Sequence, residues 1–369
     1  MNIISKASEP ISEKTYRSLK DRLSYSTLKD FDKDRMKFYK EYILKEGREF
    51  VPNNDTINGS LVDCSLFTKE DFDLKFTIAV AEKPSGQMGE LCDNLIAITN
   101  KYAVKIDPED EYSPVDITVD FETIFREAYL DLIKKDKFKG KSIDKVAEMF
   151  EKDDDAEAFY QEGRDSIGKQ IVTVSQTTYC DKLVTDALNS PFEAGEILRM
   201  ESSSNVEVLN QLIILFEFEG NPMRSMLDKV IVDHIKKVVK PYDLKVTWEN
   251  ETFDYNFLKM KYYIQLGVYS LAIRYWIENY RPELKDYIVE DFCFITIDSS
   301  GKTVPLVYKT SQEWIDKSIE GFTTTSGRRY KGVRELISEI NHHLETGNWM
   351  ISKENYKNNG KVILKENWM

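Results

Sequence analysis

The chain has 369 residues, of which 41% are hydrophobic and 31% charged, and its net charge is −13. That length suits one elaborated domain or two, and the apolar content supports a sizeable core, which excludes a broadly disordered chain. The acidic balance taken alone argues against a nucleic-acid partner, but where the charge sits matters more than its sum.

The opening stretch "MNIISKASEPISEKTYRSLKDRLSYSTL" is polar and has no apolar core of a signal peptide. No window approaches the ~18–20 apolar residues of a membrane span, so the expected location is the cytoplasm, with no membrane partner. "SYSTLKDFDKDRMKFYKEYILKEG" predicts a helix that Ser24 or Ser26 can cap and Gly47 can end. "VPNNDTING" predicts a loop, and "SLVDCSLF" a short helix just after Gly59. Residues 104–122 are acidic, carry Pro108 and Pro114, and predict a loop or edge structure. From about 120 to 200 the pattern is helical, broken near "KFKGKS" and "SIGKQIVTVS".

"LNQLIILFEF" then predicts a strand, "EGNP" a turn, and Met223 the start of a second strand, which together make a hairpin. "KPYDLKVTWE" is a third strand. "NFLKMKYYIQLGVYSLAIRYWIENY" is a long amphipathic helix ended before Pro282. "YIVEDFCFITID" and "VPLVYK" predict further strands, and "SQEWIDKSIEGF" and "VRELISEINHHLETG" closing helices. The order implies a mixed α/β (α+β) fold. The expected organisation is one elaborated domain over 1–369. It has N-terminal helices over 20–100, a mainly helical insertion over 101–205, a sheet with its long helix over 206–310, and C-terminal helices over 311–369.

Chemistry concentrates in "MLDKVIVDHIKKVVKPYDLKVT", Met226 to Thr247. Period two on a strand puts Asp243, Lys245 and Thr247 on one face, with Leu244, Val246 and Trp248 on the other. If the strands turn near "HIKK", Asp228 and Asp243 converge. Two adjacent carboxylates repel, one pKa rises, and a divalent cation relieves the repulsion. Magnesium suits such an oxygen-rich, partly hydrated arrangement. It would activate a water and stabilise charge on a phosphate. Lys245 would orient or deprotonate that water, or neutralise the transition state. The alternative is that Asp-x-Lys marks a solvated strand edge.

On the long helix Gln265 and Tyr269 are four apart on one face, with Lys261 a turn earlier. That face can meet a nucleic-acid backbone or hold the lysine; alternatively Tyr269 is core and Gln265 surface. Between Pro222 and Thr247 there are six basic and three acidic residues; "TTTSGRRYKGVR" has four basic and none acidic. Arg224 and Ser225, and the loop residues Arg328, Arg329 and Lys331, are candidate phosphate contacts, or else surface strand and solvated loop. Asp233 alternates away from Asp228, outside the site. His234, His342 and His343 form no catalytic constellation. Cys64, Cys92, Cys180 and Cys293 are scattered with no C-x-x-C pair, so neither a zinc site nor an iron–sulfur cluster is signalled.

A strand Asp, a hairpin to Asp-Leu-Lys and a helix bearing Gln-x-x-x-Tyr together resemble the PD-(D/E)xK nucleases of the RecB and exonuclease VIII (RecE-like) type. "LSYSTLKDFDKDRMKFYKEYIL" is similar to their opening helix and "NGSLVDCSLFTKEDFDLKFTIA" to their first active-site helix. "GKQIVTVSQTTYCDKLVTDALNSP" is similar to the helical segment before the sheet, and "INHHLETGNWM" to the C-terminal end. The resemblance implies a restriction-endonuclease-like core and a metal-dependent deoxyribonuclease. Asp228, Asp243, Asp63 and the Leu244 carbonyl would hold Mg²⁺ or Mn²⁺, with Lys245, Gln265 and Tyr269 completing the site. It further implies an exonuclease of phage type that resects duplex DNA for recombination, beside a single-strand annealing protein, and a homo-oligomeric ring. The chain departs from the pattern at Asp63, where the family carries histidine. That departure keeps a second reading open: a nuclease fold retained for DNA or protein binding without chemistry. A third is an unrelated acidic interaction protein.

Overall fold

The structure, a computed structural model, describes residues 13–46, 52–105, 115–167 and 169–362. The chain forms two compact units. One comprises residues up to Phe50 and from Asp186 onward; the other is nested between them as Val51–Thr185. The sequence reading had set the insertion at 101–205.

The first unit begins with α1 (Glu13–Ser18), α2 (Tyr25–Lys33) and α3 (Arg35–Phe38). Ser24 starts α2 with a reciprocal capping box to Thr27. The expected single helix over 24–47 is interrupted at Asp34, whose extended backbone ends α2 and whose side chain accepts the Lys37 amide to start α3. After the nested unit come α4 (Glu193–Arg199), β1 (Val206–Phe218), β2 (Asn221–Asp233) and β3 (Val238–Thr247). Glu219 and Gly220 both have positive φ and link β1 to β2 as a two-residue hairpin, so β2 begins two residues before the expected Met223. At the β2–β3 turn Asp233 accepts the Ile235 and Lys236 amides, which gives that carboxylate a turn-capping place.

The helices α5 (Phe253–Lys259) and α6 (Tyr262–Asn279) then lead to β4 (Ile288–Val289), β5 (Cys293–Asp298) and β6 (Leu306–Lys309). The expected single helix over 256–280 is thus two, broken at Lys261, whose φ is 60°. The expected fourth strand is likewise split into β4 and β5. The unit closes with α7 (Gln312–Glu320), the short hairpin β7 (Phe322–Thr323) and β8 (Arg329–Tyr330), α8 (Val333–Thr346) and the short α9 (Lys353–Lys357).

The strands form one mixed sheet in the order β6-β5-β3-β2-β1, with β4 also on β3. β3 pairs antiparallel with β2 and parallel with β5, and the parallel step needs the α5–α6 crossover. α6 is not amphipathic as expected but buried nearly all round: Tyr263, Ile264, Leu266, Val268, Ala272 and Ile273 are all inside. Each large aliphatic there contributes about 1.5–3 kcal/mol relative to exposure. Gly267 allows the close approach of its neighbours; a Cβ would lie 2.9 Å from Val333 Cγ2 and 3.0 Å from the Ser318 carbonyl oxygen.

The nested unit is mainly helical. Its helices Gly86–Lys101, Phe121–Lys134, Ile143–Glu151 and Asp154–Asp165 enclose a core around Leu91, Leu95, Ala128, Leu132 and Phe159. Two short sheets join them: Phe76–Ala79 parallel to Gln170–Thr173, and Ala103–Lys105 antiparallel to Val115–Ile117. The expected loop over 51–59 is helical from Asn54, because Asn53 caps the helix Asn54–Phe67 by accepting the Thr56 amide. The predicted edge region thus carries a hairpin at its described ends, while Pro108 and Pro114 lie outside the described residues. No helix among the described residues is long and apolar enough to cross a membrane.

Candidate active site at the fork between β2 and β3

The β2–β3 ladder runs from Asp233↔Val238 to Lys229↔Tyr242 and stops. The next rung would join Asp228 to Asp243. There the strands part: β2 stays with β1, while β3 pairs with β5 from Tyr242 to Thr247. The alternation of β2 also shifts at this point, since Leu227 and Val230 both enter the same core. Opposite Asp228 in the register of β1 stands Gln211, with φ 49°. The vacated edge of β2 is met by the segment before α2. The Leu23 amide donates to the Pro222 carbonyl at 2.9 Å, and the Arg224 amide to the Leu23 carbonyl at 2.8 Å. This contact brings the capped start of α2 beside the fork.

At the fork Asp243 is only 1% exposed. Its Oδ1 accepts Gln265 Nε2 at 2.7 Å, and its Oδ2 is ion-paired with the Lys245 ammonium. Lys245 Nζ also donates to the Leu244 carbonyl at 3.1 Å and lies over the Tyr262 ring at 5.2 Å. Asp228 Oδ2 accepts the Leu244 amide at 2.6 Å, and its carboxyl is within hydrogen-bonding reach of Asp243. The structure therefore brings Asp228, Asp243, Leu244, Lys245 and Gln265 together. Tyr269 is buried beside them, its phenol raised well above the usual value by burial, with the Asp243 and Asp228 carboxylates adding to the rise and Gln265 opposing it.

Burial raises the Asp243 carboxyl, against the lowering pull of Lys245. Burial lowers the Lys245 ammonium, but the Asp243 and Asp228 carboxylates and Tyr262 outweigh it and the net shift is upward. Lys245 is therefore a persistent cation here. A charged Lys245 suits the expected task of holding negative charge.

The remaining expected residues of the first unit are buried, paired or stacked elsewhere. Ser225 is fully buried, and the Arg224 guanidinium donates to the Tyr16 carbonyl while stacking 4.9 Å from its ring, so neither sits on an open strand surface. Arg329 is paired with Glu335 and Lys331 with Glu339; Arg328 stacks on Tyr330 at 5.0 Å. Lys261 is paired with Asp32. Asp63 is half-buried in the helix Asn54–Phe67 of the nested unit. No group of three or more His, Cys, Asp or Glu side chains placed to hold a metal occurs among the described residues. The four cysteines are free thiols, buried singly.

Sequence reasoning missed Tyr262, Tyr25 and Lys29. Lys29 on α2 is half-buried over the Tyr25 ring, and its ammonium is lowered by burial, with Lys245, Lys33 and Lys261 adding to that effect. The Ser-Tyr-Ser start of α2 was the available signal; what hid its place was the long-range pairing of Leu23 with β2.

No family model matches this chain. No curated protein matches it either. Among solved structures, a chain from Eubacterium rectale described as "Putative exonuclease", solved at 2.19 Å, is similar. It shares 14% identity, and the match covers 97% of this chain and 96% of that one with a TM-score of 0.43.

Proposed function

We propose that the fork is the active site of a metal-dependent DNA nuclease of the PD-(D/E)xK kind, a phosphodiester hydrolase. The observation that supports this reading is the broken rung. Two carboxylates, a strand carbonyl and a lysine converge where β2 and β3 part, and Gln265 on the crossover helix holds the buried carboxylate. The donor set suits a hard divalent cation, because Asp228, Asp243 and the Leu244 carbonyl present oxygen only. When bound, Mg²⁺ or Mn²⁺ would activate water and stabilise the developing phosphate charge.

The chain's own residues have separate tasks. Gln265 fixes the orientation of Asp243, and Asp228 holds the Leu244 amide, which orients the carbonyl on the other side of that residue. Lys245 offers a positive charge for a scissile phosphate. Lys29 adds a second cation beside it, so the locality is basic in a chain of net charge −13. Asp63 as a further ligand, resection of duplex DNA for recombination, a phage setting, an annealing partner and a ring assembly extend this reading from the family resemblance alone.

One observation favours a second reading, a nuclease fold kept for binding. The Lys245 ammonium already lies against both Asp243 Oδ2 and the Leu244 carbonyl, two oxygens a cation would take. A single assay separates the two. Linear duplex DNA is incubated with the protein and Mg²⁺, Mn²⁺ or EDTA, alongside Asp228→Asn and Lys245→Ala. Metal-dependent degradation lost in both variants supports the nuclease; DNA binding with no degradation under any metal supports the second reading.

A further inference from the structure

The two most exposed aromatic side chains among the described residues lie just past the fork. Trp248, at the end of β3, is 60% exposed, and Tyr255, on α5, is 65% exposed. Each has a lysine ammonium over its ring: Lys302 at 5.3 Å from the Trp248 centroid and Lys259 at 5.4 Å from that of Tyr255. Their sequence neighbours meet, Asn256 Nδ2 donating to Thr247 Oγ1 at 3.4 Å, and Thr247 shares the strand face of Asp243 and Lys245. Two further pairs stand at the fork itself: Tyr262 with Lys245, and Tyr25 with Lys29. The Tyr25 hydroxyl donates to the Met260 carbonyl at 3.2 Å, which ties α2 to the end of α5. Of the carboxylates in the same segment, Glu251 and Asp254 lie near Tyr308, whose phenol is raised chiefly by burial and further by those two.

We propose that this row of ring–lysine pairs binds single-stranded DNA leaving or entering the fork, with Trp248 and Tyr255 as base-stacking platforms. The inference rests on the nuclease reading for the identity of the ligand and adds its strandedness at the site. An exposed ring with an ammonium beside it offers the two contacts a single strand needs: a flat apolar face for an unpaired base and a cation for its phosphate. A closed duplex offers no unstacked base to such rings. Lone exposed aromatics are ordinary on protein surfaces. What sets these apart is that they are the two most exposed rings, each has a lysine over it, and Trp248 directly follows Thr247, which shares the face of Lys245.

The test is fluorescence anisotropy with labelled oligo(dT) and with a blunt hairpin duplex, all in EDTA so that no cleavage occurs. Wild type is expected to bind oligo(dT). Trp248→Ala and Tyr255→Ala should each weaken that binding about tenfold, Trp248→Phe much less, and duplex binding should change little. Alanine variants that bind oligo(dT) like wild type, or a wild type that does not bind it, would overturn the proposal. So would self-association that Trp248→Ala removes while oligo(dT) binding stays intact, since the ridge would then be a protein contact. Failure of the nuclease reading has a different signature: no cleavage with any metal while binding in EDTA and its loss in the variants persist.

Discussion

Lys245→Met tests the electrostatics of the fork most directly. The side chain of Lys245 is 16% exposed and that of Asp243 1%, so the pair is largely shielded from solvent screening. Removing the ammonium leaves Asp243 with the Gln265 hydrogen bond and a nearby Asp228. Breaking such a buried pair from one side typically costs about 3–5 kcal/mol. Asp243 can escape part of that cost by taking a proton, because burial already raises its pKa. The sign follows from linkage. A carboxyl whose native pKa lies above the unfolded value binds more protons when folded, so its contribution to stability falls as pH rises from about 4 through the raised native value. The variant should therefore be about 3 kcal/mol less stable than wild type by urea unfolding at pH 8, and closer to it at pH 5. Adding Asp243→Asn to Lys245→Met should recover much of the loss, since no charge is then stranded. A deficit independent of pH, together with no recovery in the double variant, would refute the reasoning.

Gln265→Leu removes a 2.7 Å hydrogen bond to a buried carboxylate and should cost about 1.5–3 kcal/mol in unfolding experiments, with the proposed DNA cleavage falling alongside. Gly267→Ala pushes a Cβ to 2.9 Å from Val333 and should destabilise by about 1–3 kcal/mol, read as a lowered urea midpoint. Lys229 is 2% exposed, donates to the Leu198 and Met200 carbonyls, and has its pKa lowered to about 8 by burial. A lowered native value means fewer protons bound when folded, so wild type should gain stability between pH 8 and about 10. Lys229→Met should abolish that gain, which urea titration at the two pH values would show.

The sheet was legible because its strands are long and closed by turn chemistry that local residues dictate. Glu219-Gly220 and the Asp233-led turn each set a register, and that of β2 and β3 runs to Lys229↔Tyr242, one position short of Asp228 and Asp243. The helices were less legible where one side chain interrupts a continuous apolar rhythm. Asp34 and Lys261 each break a helix that periodicity reads as one, and neither is Gly or Pro. Asn53 to Gly59 went the other way: Asn and Asp read as loop formers, yet at a helix start they are cap chemistry. The partner of Lys245 was hidden for a different reason. Alternation places Asp243 and Lys245 on one face but cannot say whether that face opens to water or is roofed by α6. Roofing is what turns a solvated Asp-x-Lys into a buried ion pair.

That roof also bears on the proposal that the fork serves function rather than stability. Continuing the β2–β3 ladder by one rung would satisfy two more residues with backbone hydrogen bonds. Instead the strands separate, Gln211 adopts a left-handed backbone opposite the break, and a capped helix start fills the open edge of β2. The lost rung and the strained Gln211 backbone cost free energy that a plain hairpin would keep, roughly 1–3 kcal/mol for the strained backbone alone. The surrounding core, with α6 buried on nearly every side, is large enough to sustain them. Sheets that only need to fold have no cause to strand two carboxylates and a lysine at a gap between neighbouring strands. The proposed role of holding a cation and a phosphate would supply that cause.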